Sequence, residues 1–323
     1  MTLTATHQKV VTPPRTTQKV LTGLVLDSLQ ENLEVEEEVA RQLSARLERW
    51  DGNREALAHA DFVLHVRTHV DSDLIGSLIR CRAIGRYGSG LDTVDLVAAG
   101  RRGIEVVGVP DYATQEVAQH ALALGLAVAR GAGLRNVMSL SDRWDFLTAA
   151  PKIGLDGPIG IVGFGRIGQA ASRLWRALGF ELLVASRRTE QIAQHGYRQV
   201  SLGRLFSDCE LISLHCALVP ETEHMIGRAE LGVMRADGIL VNTARGSLVD
   251  SAALAEALKV RRIRGAGLDV FEESVASGWN IFGGQGLNVV LTPHIAWYSP
   301  ASLARLKRDA VVRTIEAARA QPH

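Results

Sequence analysis

Hydrophobic and polar positions alternate along the chain in a way that predicts short buried strands separated by amphipathic helices. Between residues 20 and 109, apolar runs typical of strands are separated by segments with apolar positions at helical spacing. The predicted strands are 20–27, 61–66, 83–87 and 104–109, and the predicted helices are 31–50, 72–81 and 93–102. Strands that alternate with helices favour a parallel sheet, so these residues are predicted to form one α/β unit.

A second series of strands and helices begins at Ile159. Its predicted strands are 159–165, 180–186, 211–216, 238–244, 265–271 and 288–294, with helices between most of them. The long amphipathic segment 300–320 predicts a last helix that can return to the first unit. The predicted fold class is therefore α/β, with two doubly wound parallel-sheet domains of Rossmann-like or flavodoxin-like form and a cleft between them.

Composition excludes several classes of protein. Lys and Arg number 36 and Asp and Glu 35, so the formal charge of +1 predicts neither nucleic acid nor a membrane surface as a partner. No apolar run reaches the roughly 18 residues of a membrane span, and the N-terminus lacks the apolar core of a signal peptide. Cys81, Cys209 and Cys216 show no disulfide or metal spacing, so we expect buried thiols in a reducing cytoplasm and no metal.

The segment GIVGFGRIGQA contains Gly163, Gly165 and Gly168 in G-x-G-x-x-G register, with Arg166 and Ile167 between the last two glycines. The glycines directly follow an apolar strand and open a helix, which is the context that a dinucleotide requires. The first glycine permits a tight turn, the second lets the backbone approach a pyrophosphate, and the third lets helix pack on strand. This turn is predicted to bind a dinucleotide.

The end of the next strand predicts which dinucleotide binds. Sites specific for NAD usually carry an acid there, which accepts hydrogen bonds from the ribose 2′-hydroxyl. This chain has Ser186 at that place, followed by Arg187 and Arg188. A hydroxyl does not repel a 2′-phosphate, and guanidinium groups bind phosphate, so NADP(H) is predicted to be preferred over NAD(H). The competing interpretation is a solvated basic surface turn.

Six segments, in this order, resemble signature segments of the D-isomer-specific 2-hydroxyacid dehydrogenases. They are RYGSGLDTVD (86–95), GFGRIGQ (163–169), LHCALVPETEHMI (214–226), VNTARGSLVD (241–250), GLDVF (267–271) and TPHIAWYS (292–299). The resemblance extends from about Val20 to the last helix and is greatest for the C-terminal-binding-protein branch, which includes corepressors that sense dinucleotide. It implies an active site built from Arg, Glu and His.

Two of these catalytic positions are filled as in the family. Arg245 matches the family arginine, and a planar guanidinium can hold a carboxylate and polarise the adjacent keto oxygen. His294 matches the family acid/base, and a group with a pKa near neutrality can give the carbonyl oxygen a proton. The resemblance therefore implies that Arg245 and His294 act on one substrate.

The third catalytic position is open. The family glutamate lies five residues after the aspartate of LDVF, and counting from Asp269 gives Ser274. If the loop is one residue shorter, Glu273 takes this role; otherwise Ser274 leaves His294 unassisted and restricts reduction to acidic conditions. Glu273 is the favoured assignment, although Glu272 and Glu273 are also typical of a solvated corner.

The resemblance implies further contacts with both ligands. The backbone at Ser89 and Gly90 should meet the substrate carboxylate, Arg86 should add a second cation, and Trp297 should give the substrate a flat apolar wall. Contacts with the cofactor are implied for five more residues, namely His215, Cys216, Thr243, Ala244 and Asp269.

The domain boundaries follow from these motifs. Residues 1–18, with two prolines and no periodicity, are predicted to be a flexible tail. The substrate domain is predicted to comprise 19–112 and 299–323, and the dinucleotide domain 113–298. Residues 116–130 are apolar almost all the way round, which predicts either a domain connector that also forms a subunit contact or a central core helix. A homodimer is expected.

The leading hypothesis is an NADPH-preferring enzyme that reduces a small 2-keto acid, such as glyoxylate or hydroxypyruvate, to the D-2-hydroxy acid. One alternative is a dinucleotide-sensing regulatory or binding protein with weak or no catalysis, which Ser274 supports. Another is a related dehydrogenase of a different small anion, such as phosphite or a phosphonate aldehyde.

Overall fold

The computed structural model describes residues 20–132, 154–272, 281–282 and 286–321. The chain divides into two compact units. The first consists of Met1–Tyr87, Thr93–Gly108 and Lys307–His323, and the second of Gly88–Asp92 and Val109–Leu306. Each unit contains one parallel sheet, which confirms the predicted α/β class with two parallel-sheet domains.

The first unit has a five-stranded parallel sheet in the order β2-β1-β3-β4-β5. Its strands are β1 (Leu21–Val25), β2 (Ala45–Arg49), β3 (Phe62–His65), β4 (Ala83–Arg86) and β5 (Glu105–Val107). Its helices are α1 (Glu34–Gln42), α2 (Arg54–Leu57), α3 (Ser72–Ser77) and α4 (Leu96–Arg101). This strand order is flavodoxin-like, with the change of direction between β1 and β3.

The second unit has a seven-stranded parallel sheet in the order β12-β11-β10-β9-β6-β7-β8. Its strands are β6 (Ile159–Val162), β7 (Leu182–Ala185), β8 (Arg198–Gln199), β9 (Leu211–Leu214), β10 (Ile239–Asn242), β11 (Gly265–Leu268) and β12 (Val289–Leu291). Its helices are α5 (Thr114–Ala129), α6 (Arg166–Ala177), α7 (Thr189–Gln194), α8 (Leu202–Asp208), α9 (Arg228–Val233) and α10 (Ser251–Lys259). The last helix, α11 (Pro300–Ala320), begins in the second unit and belongs to the first unit from Lys307 onward. This is the Rossmann order with one strand added, and the change of direction lies between β6 and β9.

Helix α5 lies directly on the second sheet, which explains its lack of a polar face. A Cβ at Gly267 would lie 2.9 Å from the Cβ of Leu124, and a Cβ at Gly265 would lie 2.6 Å from the Val128 side chain. Glycine in β11 therefore lets α5 approach the strand closely. The prediction of a core helix is confirmed. None of the helices in the described ranges combines the length and the apolar character that a bilayer span requires.

One predicted helix is partly wrong. The helix predicted over 31–50 ends at α1, and its second half forms β2 instead. Ser44 has a φ of +48°, which breaks the helix. Beyond it, Ala45 and Leu47 are buried while the charged residues between and after them are exposed, which is the alternation of a strand. The charged composition of this segment resembled that of an exposed helix and concealed the two-residue period.

Candidate active site

The glycine turn joins β6 to α6, and the surroundings that a Cβ would meet differ among its three glycines. A Cβ at Gly163, where φ is +90°, would lie 2.7 Å from backbone atoms of His215 and Cys216. A Cβ at Gly168 would lie 2.1 Å from the Gly163 carbonyl oxygen. Nothing lies within 4 Å of the Cβ position of Gly165, so the backbone is open there. Tight packing around an open second glycine at a helix N-terminus fits a dinucleotide pyrophosphate.

Arg166 and Ile167, the two residues between the second and third glycines, contact other residues of the chain. Arg166 is exposed and forms an ion pair with Asp111. Ile167 and Trp297 pack against the same apolar cluster, which consists of Ala113, Val117 and Ala296. The structure therefore joins a predicted cofactor residue, Ile167, and a predicted substrate residue, Trp297, through one cluster in the second unit.

The end of β7 carries a serine and two arginines that differ in their contacts. The Ser186 hydroxyl accepts a hydrogen bond from the backbone N–H of Arg188 at 3.3 Å. The Arg188 side chain donates to Gln191 at 3.3 Å. Arg187 is exposed and has no hydrogen bond or ion pair with another residue in the described part of the chain. Arg187 is thus the cation whose hydrogen-bonding groups are available to a ligand here.

His215 and Cys216 follow β9 at the switch point of the second sheet. The His215 Nε2 lies 2.9 Å from the Ser213 hydroxyl, and burial lowers the pKa of His215 to about 4. The Cys216 sulfur contacts the Met225 sulfur at 3.7 Å, and burial raises the pKa of this thiol. Both side chains are therefore uncharged at neutral pH, and they form a neutral wall beside the glycine turn.

The turn after β10 is held by Asn242, which the sequence analysis did not identify as a site residue. Its amide oxygen accepts from the backbone N–H of Ala244 at 3.0 Å, and its amide nitrogen donates to the Arg245 carbonyl at 2.8 Å. The Thr243 hydroxyl is buried and has no hydrogen-bond partner in the described ranges. A buried hydroxyl without a partner at this edge is available to a cofactor.

The Arg245 side chain is bound on two sides within the second unit. Its Nη1 donates to the Ala244 carbonyl at 2.8 Å, and its Nε and Nη2 donate to Asp92 Oδ1 at 3.4 and 3.2 Å. A Cβ at Gly90 would lie 1.9 Å from Nη2, so glycine makes room for the guanidinium. The structure brings the predicted Arg245 and Gly90 together and adds Asp92, which the sequence analysis missed.

The other two predicted substrate residues lie near the same stretch of chain. Ser89 is exposed and precedes Gly90 in the second unit. Arg86 is half-buried at the end of β4 and belongs to the first unit.

Asp269, at the end of β11, holds the loop that carries His294. Its Oδ1 accepts from the Thr292 hydroxyl at 2.5 Å and from the backbone N–H of Ile295 at 2.9 Å. Its Oδ2 accepts from the backbone N–H of Ala296 at 2.9 Å. This buried carboxylate therefore holds the Thr292 side chain before His294 and the backbone of Ile295 and Ala296 after it.

His294 itself occupies a strained backbone conformation at the end of this loop. Its φ is +56°, which is uncommon for a residue other than glycine and is maintained by the surrounding contacts. Its backbone N–H donates to the Asp269 carbonyl at 2.9 Å, and its carbonyl accepts from the indole nitrogen of Trp297 at 2.9 Å. His120 also reaches this loop, with Nε2 2.9 Å from the Thr292 hydroxyl.

Hydrogen bonds between strand ends place Arg245 and His294 at one edge of the second sheet. The backbone N–H of Asp269 donates to the Asn242 carbonyl at 2.9 Å, three residues before Arg245. Because β10, β11 and β12 are adjacent and parallel, the two segments leave the sheet side by side at its carboxyl edge. Ligands of open α/β sheets bind at this edge.

Glu272 is committed to structural partners. It accepts from the backbone N–H of Ser251 at 3.1 Å, at the start of α10, and its Oε1 lies 2.6 Å from His224 Nε2. It is therefore not available as a partner of His294. Glu273 and Ser274, the two candidates for the third catalytic position, lie outside the described residues.

Comparisons with known proteins agree with this arrangement. Residues 122–296 match the NAD binding domain of the D-isomer specific 2-hydroxyacid dehydrogenases. A glyoxylate reductase from Thermococcus litoralis is 39% identical over 239 residues, which are 71% of this chain and 72% of that protein.

Two solved structures resemble almost the whole chain. The D-lactate dehydrogenase from Aquifex aeolicus complexed with NAD and lactic acid has a TM-score of 0.81 and 25% identity, and the match covers 90% of this chain and 93% of that one. An acyclic imino acid reductase in complex with NADPH and D-Arg has a TM-score of 0.80 and 26% identity, over 93% and 97%.

Fold and site together define a nicotinamide-dinucleotide-dependent oxidoreductase with a Rossmann domain. The chain belongs to the D-isomer-specific 2-hydroxyacid dehydrogenase family. The family predicted from the six sequence segments is therefore confirmed.

Proposed function

We propose that this enzyme reduces small 2-keto acids to D-2-hydroxy acids and prefers NADPH. The observation that carries the proposal is the position of the Arg245 guanidinium at the sheet edge that also holds the glycine turn and the His294 loop. This reaction requires three parts: a cation that can bind a carboxylate, a histidine that can transfer a proton, and an open turn that can bind a dinucleotide.

Arg245 is assigned to the acid group of the substrate. A guanidinium binds a carboxylate through two parallel N–H groups and stabilises negative charge that develops on the neighbouring keto oxygen. Gly90 and Asp92 keep this group in place from one side and Ala244 from another.

His294 is assigned as the proton donor. When NADPH is bound, the carbonyl carbon would receive hydride from its nicotinamide. His294 gives a proton to the carbonyl oxygen, so that the keto group becomes a secondary alcohol. The Asp269 carboxylate accepts from the backbone of Ile295 and Ala296, and the Trp297 indole donates to the His294 carbonyl. These contacts hold the loop while the imidazole changes its protonation state.

The cofactor is assigned to the edge between β6 and β9. The open backbone at Gly165 and the start of α6 suit the pyrophosphate, and the unpartnered Thr243 hydroxyl and the neutral His215 suit the remainder. Arg187, with Ser186 before it, is assigned to a 2′-phosphate. Solved relatives are complexed with NADPH or with NAD, so the proposed preference rests on Ser186 and Arg187.

The substrate is tested by following NADPH absorbance with glyoxylate, pyruvate, hydroxypyruvate and larger 2-keto acids. We expect turnover on at least one of them. Arg245→Ala and His294→Ala should each lower kcat/KM by roughly 100-fold or more, because each loses a charge or proton needed in the transition state. Tight NADPH binding without turnover on any acid would instead favour the regulatory protein.

The cofactor preference is tested with Arg187→Ala and Ser186→Asp. Wild type should show a specificity constant for NADPH at least about tenfold above that for NADH, because charge-assisted contacts to phosphate are strong. Arg187→Ala should remove most of this ratio, and Ser186→Asp should reverse it by repelling the 2′-phosphate. Arg204→Ala, an exposed arginine on α8 that pairs with Asp208, is the matched control. Equal specificity constants in wild type would contradict the preference.

Glu273 is proposed as the carboxylate beside His294. The engagement of Glu272 with His224 and Ser251 supports this choice, since it leaves only the second of the two glutamates. Glu273→Gln should shift the acid/base limb of the kcat/KM profile to lower pH, because imidazolium loses its stabilising charge, whereas Ser274→Ala should leave it in place. A profile that Glu273→Gln leaves unchanged would contradict the assignment and would mean that Ser274 occupies the position and His294 has no carboxylate beside it.

A cytoplasmic homodimer is also proposed. Size-exclusion chromatography with light scattering checks the dimer, and cell fractionation checks the compartment.

A further inference from the structure

The Arg245 guanidinium carries five N–H groups, and three of them donate to residues that the structure describes. One on Nη1 donates to the Ala244 carbonyl, and those on Nε and Nη2 donate to Asp92 Oδ1. Within the described part of the chain, the other two have no partner.

The two remaining N–H groups are on the two terminal nitrogens. A planar guanidinium has a side edge, with one N–H each from Nε and Nη2, and an end edge between Nη1 and Nη2. Asp92 occupies the side edge and the Ala244 carbonyl takes one hydrogen of Nη1, so one hydrogen on Nη2 lies at the end edge and one hydrogen on Nη1 is left. With one N–H left on each terminal nitrogen, this end of the guanidinium can bind a carboxylate through two hydrogen bonds.

We infer that Asp92 is a positioning residue that holds Arg245 with this end directed to the substrate carboxylate. Without Asp92, the hydrogen bond to the neighbouring carbonyl of Ala244 is the one that the guanidinium keeps among the described residues, and the group can turn about its side-chain torsions. Gly90 contributes by leaving the space that Nη2 and Asp92 Oδ1 fill, since a Cβ there would lie 1.9 and 2.4 Å from them. This inference rests on the proposed function of Arg245.

The negative charge of Asp92 also lowers the affinity for an anionic substrate. Its negative charge lies beside the cation that must attract an anionic substrate, so it weakens the attraction while it fixes the geometry. Replacing Asp92 therefore has two opposite effects. Asp92→Asn removes the charge and keeps an oxygen that can accept from Arg245, whereas Asp92→Ala removes both.

Turnover separates the two effects. Asp92→Ala should lower kcat by roughly 10- to 100-fold, because a small misplacement of a positioning group costs this much. Asp92→Asn should recover most of that loss and remain within about fivefold of wild type. The Arg245→Lys variant lacks the guanidinium fork. Adding Asp92→Ala to it should lower kcat by less than about a further twofold.

Binding of oxamate, an unreactive carboxylate with an adjacent carbonyl, tests the inference without turnover. Titration calorimetry on enzyme loaded with NADPH should give a Kd for Asp92→Ala that is roughly tenfold higher than for Asp92→Asn, because both lack the charge and only one orients the fork. Asp208→Ala, which breaks the exposed pair with Arg204, is the matched control and should behave as wild type.

The outcomes are distinct. Absence of turnover by wild type on every 2-keto acid, with the oxamate difference intact, would end the proposed function and leave the role of Asp92 standing. Equal oxamate Kd values for Asp92→Asn and Asp92→Ala, or no oxamate binding by wild type, would overturn the inference. Equal losses of kcat in both variants with a melting temperature lowered by more than about 4 °C would also overturn it, in favour of a structural role.

Discussion

The two sheets differ at the point where their strand order changes direction. In the first unit, the Asp27 carboxylate accepts backbone N–H groups of the loop after β3, namely Val66 at 2.9 Å, Arg67 at 2.7 Å and Thr68 at 3.3 Å. In the second unit, the corresponding edge carries the glycine turn, with open space at Gly165. Both edges present backbone donors that suit an anion, but the first already holds a carboxylate of its own chain. The second leaves its donors for a ligand.

The comparison teaches that strand order alone does not define a nucleotide site. Switch points occur in both sheets, as expected for doubly wound folds. A site exists where the chain leaves backbone donors without an internal acceptor, and a single aspartate is enough to close it.

The largest expected effect comes from adding a methyl group to the glycine turn. Gly163→Ala and Gly168→Ala should each lower NADPH affinity by roughly 100-fold or more and destabilise the fold by about 2–3 kcal/mol, because the new Cβ meets backbone atoms. Fluorescence titration with NADPH and urea unfolding measure both effects.

Gly165→Ala is the control for this prediction. Its Cβ meets nothing in the chain, so the free energy of unfolding should change by less than about 1 kcal/mol while NADPH affinity falls by roughly tenfold. A Gly165→Ala variant that binds NADPH as wild type does would mean that the pyrophosphate lies elsewhere.

The next effect concerns the closed edge of the first unit. Asp27→Ala should lower the free energy of unfolding by about 2–3 kcal/mol, because three backbone donors lose a charged acceptor. Catalytic constants at a temperature where the variant is folded should stay near those of wild type. A loss of NADPH affinity as large as that of Gly165→Ala would break the contrast between the two edges.

The pH dependence of this effect has a defined sign. Burial raises the pKa of Asp27, but the hydrogen bonds from the backbone of Arg67, Val66 and Thr68 outweigh it and hold the pKa below its usual value of 3.8. Stability from Asp27 is therefore present above about pH 4 and is lost as the pH falls through the folded pKa. The difference in free energy of unfolding between wild type and Asp27→Asn should shrink on acidification; a difference that grows would contradict the assignment.

The smallest expected effect is at His224 and Glu272. The hydrogen bond that His224 donates to the Glu272 carboxylate raises the pKa of His224. Its contribution to stability is therefore full below about pH 6.5 and is lost as the pH rises through the folded pKa. Because His224 is exposed, His224→Gln should cost only about 0.5 kcal/mol at pH 6 and less at pH 8.5. Urea unfolding at the two pH values measures this, and an equal cost at both would argue against a charged pair.

Local sequence patterns predicted the parts of the site whose structure depends on residues that are close together in the sequence. The glycine turn and the strand ends that carry Arg245 and His294 are such parts, because apolar strands and turn glycines are visible within about ten residues. The strand β2 was missed because its exposed positions are charged and follow an acidic helix.

Contacts between distant residues were not predictable in this way. Asp92 and Arg245 are hydrogen-bonded although they are 153 residues apart in the sequence, and His120 and Thr292 although they are 172 residues apart. Asp92 stands within the RYGSGLDTVD segment, yet nothing in its neighbourhood indicates that its partner is Arg245, the arginine proposed to bind the substrate. Only the folded second unit brings the two together.

The most direct test of the account is a crystal structure of the enzyme with NADP⁺ and oxamate. We expect the pyrophosphate within hydrogen-bonding distance of the backbone at Gly165 and the start of α6, and the oxamate carboxylate on Nη1 and Nη2 of Arg245. A nucleotide bound at the Asp27 edge of the first sheet, or an oxamate that does not touch Arg245, would contradict it.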